Sequence, residues 1–152
     1  MRCEGCGLEI DGGTGGCQAE FERLVARDFT DPRFGRTHRL LVDTYSLQHP
    51  DRYCVSAKSL AAHLTGLCCA LELQANPHVY RALQHWLNGA SPAERPELPG
   101  ARGALTVASV RGESEPDAYA AAVDRWARST WEAYAPLHAL ACEWVSAALR
   151  PR

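Results

Sequence analysis

Apolar residues return at helical spacing along most of the chain. Phe21, Leu24, Val25 and Phe29 recur every three or four positions, which predicts one buried stripe on a helix from Ala19 to Phe29. Asp31-Pro32 ends it, because proline disfavours helical geometry at the residue before it. A second helix is expected from Thr37 to Gln48, with Leu40, Leu41, Thr44 and Leu47 on one side, stopping before His49-Pro50. Ser56 suits the N-cap of a third, reaching Glu72, whose apolar face is Leu60, Leu64, Leu67, Cys68 and Leu71. Gly66 inside it costs about 1 kcal/mol relative to alanine, which points to close packing at that position. Asn76-Pro77 and Gly89 frame a fourth helix over 77–88, carrying Val79, Leu83, Trp86 and Leu87.

Residues 90–104 hold Pro92, Pro96, Pro99, Gly100 and Gly103. They read as a loop that is a lid, a mobile segment or a surface crossing. Thr106 to Val110 suits one helical turn or a short strand. Glu115-Pro116 then opens a long helix to Tyr134 bearing Val123, Trp126, Ala127, Thr130 and Trp131. Pro136 ends or kinks it. A last helix, 137–149, carries Leu137, Leu140, Ala141, Trp144, Val145 and Ala148. The expected fold is all-α, a helical bundle of five or six helices.

The first 17 residues break this pattern. They contain six glycines and three cysteines and have neither helical nor strand periodicity. Such a segment cannot bury enough apolar surface to offset its own ordering entropy, so something else must fix it. Cys3-Glu-Gly-Cys6-Gly7 offers two thiolates two residues apart, a spacing that serves one tetrahedral ion. Cys17 adds a third ligand. Zinc is the expected ion, since an iron–sulfur centre asks for a fourth cysteine that only Cys54 or a helical position could supply. Free thiols in an unstructured leader, or a redox CxxC, are the competing readings. The redox motif belongs at a strand-to-helix junction, and no strand precedes Cys3. His49, at a helix end before Pro50, is the favoured fourth ligand; His63 and His38 are the alternatives. The chain is thus expected to be a single domain over 1–152, a metal-binding knuckle at 1–18 followed by a bundle at 19–152.

Composition narrows the function classes. The chain has 152 residues, 46% hydrophobic and 22% charged, with formal net charge −2. That is ordinary globular usage. The balance gives no ground for a nucleic-acid partner, and no basic stretch is interleaved with aromatics. Fifteen of the 16 basic residues are arginine, which reads as the codon usage of a GC-rich, bacterial genome. The run Leu60–Leu71 is too short for a membrane span, which needs about 20 apolar residues. Met1 to Cys6 lacks the apolar core of a secretory signal, so a cytoplasmic, reducing location and no disulfide framework are expected. The remaining cysteines differ from the first three. Cys68, Cys69 and Cys142 lie in helical apolar patterns and read as small hydrophobes; Cys54 sits in a connector.

Asp43, Tyr45, Gln48 and His49 fall within seven residues, and the last three share one helix side. A solvated polar face is the plain reading. The functional one is a polar cluster around a metal or small ligand, with Asp43 orienting an imidazole. Together, Cys3-x-x-Cys6-Gly7, Cys17, Asp43-Thr-Tyr45-Ser-Leu-Gln48-His49-Pro50, His63-Leu64 and the tryptophan-bearing C-terminal helix resemble an uncharacterised bacterial family, known only as a domain of unknown function. Members often carry Ser-Pro before the third cysteine and an aromatic after it, where this chain has Gly15-Gly16 and Gln18. The resemblance implies cysteine and histidine metal ligation and no particular reaction.

The functional expectation is a small helical zinc protein, its zinc mainly structural, that binds an unknown small molecule or protein. The alternative is a metal-dependent enzyme of lyase or hydrolase type acting on a small molecule, with Asp43, Tyr45, Gln48 and His63 as candidate catalytic groups. Trp126, Trp131, Tyr134 and Trp144 are expected in the core, and His78 and His85 at the surface.

Overall fold

A computed structural model describes residues 1–151. Among them are eight α-helices: α1 (Gly13–Thr30), α2 (Pro32–Gly35), α3 (His38–Gln48), α4 (Pro50–Tyr53), α5 (Ala57–Cys68), α6 (Pro77–Ala90), α7 (Pro116–Ala133) and α8 (His138–Leu149). α2 and α4 are single turns; the other six form the all-α bundle that the periodicity predicts. A π-helical turn, Cys69–Leu73, follows α5 directly, and short 3₁₀ turns occupy Val107–Ser109 and Ala135–Leu137. No described helix is long and apolar enough to cross a membrane.

Caps set the boundaries where the sequence places them. Ser56 accepts from the Ser59 amide, and Asn76 from that of Val79. Proline occupies the first turn of α6 and α7, where its missing N–H costs nothing. The segment at 106–110 is a helical turn, capped reciprocally by Thr106 and Ser109, which drives Val107 and Val110 into the interior.

Two expectations change. The first helix begins at Gly13, not Ala19, so Cys17 sits on α1 itself. Gly12 supplies the left-handed turn before it (φ 83°), and Gly16 presses against the Asp11 carbonyl, where a Cβ would sit 1.9 Å from the oxygen. The inward stripe of α1 is consequently Cys17, Phe21, Leu24 and Asp28. Phe29, expected inside, is 75% exposed and lies against the His38 ring. Asp28 takes the inward place because Tyr119 Oη donates to it at 3.1 Å and the His38 ring meets it at 3.0 Å. His38 is therefore tied to a carboxylate and stands outside the cysteine–histidine group.

The interior has two parts. One is aliphatic and aromatic, built by α5, α6, α8 and the end of α7, around Leu60, Leu64, Leu83, Trp86, Trp131 and Trp144. The other joins α1, α3 and α7 to the N-terminal segment, through Cys3, Cys17, Phe21, Tyr45, Tyr119 and Trp126. α3 lies between them. Trp126, Trp131, Tyr134 and Trp144 are all core residues, and His78 and His85 are exposed, as expected.

Candidate metal centre

Residues 1–12 form a tight hairpin ahead of α1. Arg2 and Glu9 make an isolated antiparallel bridge, and the Cys3 amide donates to the Leu8 carbonyl at 2.8 Å. The Gly7 amide turns back onto the Cys3 carbonyl at 2.9 Å, with Gly7 at φ 81°, a conformation that favours glycine. This brings the Cys3 and Cys6 sulfurs to one side. Cys17, on the first turns of α1, faces them from below.

His49 completes the group through a feature of the α3 end. Its own amide bonds to Ser46 O at 3.1 Å, as in a tightened last turn, which leaves the Tyr45 carbonyl without the amide that a continuing helix would offer. The His49 ring supplies the donor instead, Nδ1 to Tyr45 O at 2.7 Å. A carbonyl only accepts, so the proton is on Nδ1 and the Nε2 lone pair is free. Nε2 lies 3.5 Å from the Cys3 sulfur and 3.6 Å from that of Cys17, and the Cys6 and Cys17 sulfurs are 3.8 Å apart. All four ligand atoms fall within 4.8 Å of one another, and the set can hold a metal ion.

Three of the four residues are buried and Cys6 is half-buried. The Cys6 thiol is pulled down to about 4, first by its hydrogen bond with Cys17, whose own thiol is raised in return. The sulfurs share protons that a cation would displace. Tyr45 Oη donates to the Cys17 sulfur at 3.5 Å, and burial keeps that phenol protonated. The Tyr45 ring also stacks on His49 at 3.9 Å and on Phe21 at 3.9 Å, so one column of rings orients the imidazole. Gly5 is required here: a Cβ on it would lie 2.4 Å from His49 Cδ2.

The polar run on α3 divides among three tasks. Tyr45 serves the sulfurs. Gln48, fully buried, donates to Arg102 O at 2.8 Å and Leu105 O at 2.7 Å and accepts from Trp126 Nε1 at 3.0 Å. It pins the end of the long loop to the core, so this part of the loop is an anchored surface crossing. Asp43 orients the His63 imidazole on α5, Oδ1 to Nδ1 at 2.8 Å, and not that of His49. Gly66 makes room for this carboxylate, since a Cβ there would stand 2.1 Å from Asp43 Oδ2. The close packing expected at Gly66 is thus with a buried acid. Cys54 donates to Ser46 O, and burial pushes its thiol up to about 12; His49 faces other sulfurs, so the two form no nucleophile–base pair.

Sequence reading missed the Tyr45 phenol as a partner of Cys17 and the ring column behind His49. The i, i+4 spacing of Tyr45 and His49 carried the signal, but it does not by itself say which ring meets the sulfurs. A hollow of ≈ 160 Å³ opens beside the centre, lined by Glu4, Gly5, Tyr45, His49, Arg52 and Arg102, among others. Arg52 is held by Gln18 Oε1 at 2.5 Å and Arg102 by the carbonyls of Pro99 and Ala101.

A family model described as a family of unknown function (DUF5946) matches residues 1–135, which include every residue of this centre. No curated protein and no solved structure matches the chain.

Proposed function

The chain belongs to DUF5946, a family of unknown function, and we propose that it is a zinc-stabilised helical protein that binds a small molecule or protein partner without catalysing a reaction. In this reading the thiolates of Cys3, Cys6 and Cys17 and Nε2 of His49 hold one zinc ion, which clips the N-terminal hairpin to α1 and α3. The carrying observation is metric. Tetrahedral zinc with Zn–S of about 2.3 Å and Zn–N of about 2.0–2.1 Å needs S···S edges of about 3.8 Å and S···N edges of about 3.6 Å. The separations here are 3.8 Å for Cys6–Cys17 and 3.5 and 3.6 Å for His49 with Cys3 and Cys17. That spacing suits a single ion and leaves no room for a polynuclear cluster between the sulfurs.

Four protein ligands close the tetrahedron, the pattern of a structural site; a catalytic one keeps a position for water. The enzyme reading has less support, because Asp43 pairs with His63, Tyr45 serves the sulfurs, Gln48 holds the loop, and the four do not converge on one hollow. Thiolate ligands last longest in a reducing compartment, which suits the cytoplasm. The hollow beside His49, with two arginines that no carboxylate pairs among the described residues, is where a ligand or partner side chain would reach the centre.

Metal analysis of the purified protein, followed by chelation under reducing conditions, tests this. One zinc per chain is expected. Its removal should abolish amide-exchange protection in the hairpin, α1 and the end of α3. Protein without bound zinc, or protection indifferent to chelation, overturns the reading.

A further inference from the structure

A second pair of sulfurs lies in the other half of the molecule's interior, between α5 and α8. Cys68, the last residue of α5, and Cys142, in the second turn of α8, approach to 3.9 Å between sulfur atoms. That is almost the Cys6–Cys17 spacing of 3.8 Å. The surroundings differ. Among the described residues no third thiol, imidazole or carboxylate joins Cys68 and Cys142 in a ligand group, so this pair is not a metal site. Cys142 is exposed and Cys68 is buried.

We propose that Cys142 and Cys68 form a thiol–disulfide exchange site whose reaction partner is a low-molecular-weight disulfide. The Cys142 thiolate, reachable from solvent, attacks one sulfur of that reagent. The reagent's S–S bond breaks, and one of its halves leaves as a thiol with a proton from water. Cys68 then gives up its proton and attacks the Cys142 sulfur of the mixed disulfide, expelling the second half as a thiol. Two protein thiols are oxidised by two electrons, and one small disulfide is reduced to two thiols.

The geometry orders these events. Cys68 is out of reach of any reagent in solution, and burial raises its thiol to about 12, so it does not start the exchange. It stands next to the sulfur that does. Closing the pair to a bond of about 2.05 Å needs a further approach of roughly 1.9 Å. The backbone changes from α to π geometry directly after Cys68, so this end of α5 is already outside the regular ladder and can supply part of that movement. Cys69 and Cys54 are buried and make no sulfur–sulfur contact, whereas Cys68 does, which makes Cys68 the thiol poised against Cys142. The product would fasten α5 to α8 across positions far apart in sequence, at a site independent of the zinc reading.

The test is incubation of the metal-replete protein with glutathione disulfide, followed by peptide mapping without reductant. The expected product is lighter by two hydrogens and joins the peptides containing Cys68 and Cys142. Cys142→Ser should abolish that product and leave Cys68 unmodified. Cys68→Ser, if it folds, should stop with glutathione attached to Cys142. A wild-type protein that stops at the glutathione adduct, that leaves Cys142 free, or that joins a different pair of cysteines overturns the proposal.

Discussion

The two halves of the interior are assembled on different principles. Around α5, α6 and α8 the buried residues are mostly leucine, alanine, valine, cysteine and aromatics, and apolar packing dominates; the polar contacts are few, such as Trp131 Nε1 to Glu72 Oε1 at 2.7 Å and Tyr134 Oη to Leu47 O at 2.6 Å. Around α1, α3 and the N-terminal hairpin the buried set includes Asp28, Tyr119, Gln48, His49 and the sulfurs of Cys3 and Cys17, each satisfied by a particular partner. The first half tolerates approximate fit, because dispersion and the hydrophobic effect are non-directional. The second depends on geometry, since a buried polar group that loses its partner is costly. The group that could hold a metal lies in the second half, where a glycine-rich hairpin with little apolar surface would gain most from a directional clip.

Metal removal should separate the two halves most strongly. Structural zinc sites contribute on the order of 10 kcal/mol at neutral pH. Chelation is expected to unfold the hairpin and loosen α1 while α5, α6 and α8 keep their helicity, as amide exchange would show. Equal loss of protection in both halves would contradict it. Leu64→Ala comes next. It empties space in the aliphatic half and should cost about 2–5 kcal/mol in urea unfolding with zinc content unchanged.

Gln48→Ala should cost about 1–3 kcal/mol, because it orphans the Trp126 indole N–H and the carbonyls of Arg102 and Leu105 together. Proteolysis should then cut the loop near residue 102 first. Tyr45→Phe keeps the ring column and removes only the hydroxyl on the Cys17 sulfur. Competition with a zinc chelator should show metal affinity down about 10- to 100-fold and stability of the holo fold little changed.

The smallest effect is a pH slope. Burial holds the Asp43 carboxyl above its usual range despite its bond to His63. An acid raised on folding stabilises the native state fully below its unfolded value and loses that contribution as pH climbs through its native value. The stability of the wild type relative to Asp43→Asn should therefore fall as pH rises from about 4 and then level off. A flat difference across denaturant titrations over that range would remove Asp43 as the cause.

Helix positions and the aliphatic half were legible because period and capping are local. Leu60, Leu64 and Leu67 announce their face by spacing alone, and Ser56 and Asn76 announce their caps. The cysteine–histidine grouping was legible too: the structure brings Cys3, Cys6, Cys17 and His49 within 4.8 Å of one another, and such residues are chemically few. What spacing could not reveal was pairing at a distance. Asp28 displaces Phe29 from the interior only because Tyr119 and His38 meet it there. Asp43 turns to His63, twenty positions away, and not to His49 nearby. The start of α1 at Gly13 was hidden because glycine counts against helix, whereas here the missing side chain lets Asp11 lie against Gly16.

X-ray absorption at the zinc edge of the purified, reduced protein reads the coordination shell itself. Expected is one zinc per chain surrounded by three sulfurs at about 2.3 Å and one nitrogen at about 2.0–2.1 Å, with no water in the shell. A shell containing two sulfurs or fewer, an added oxygen, or iron in place of zinc would contradict it.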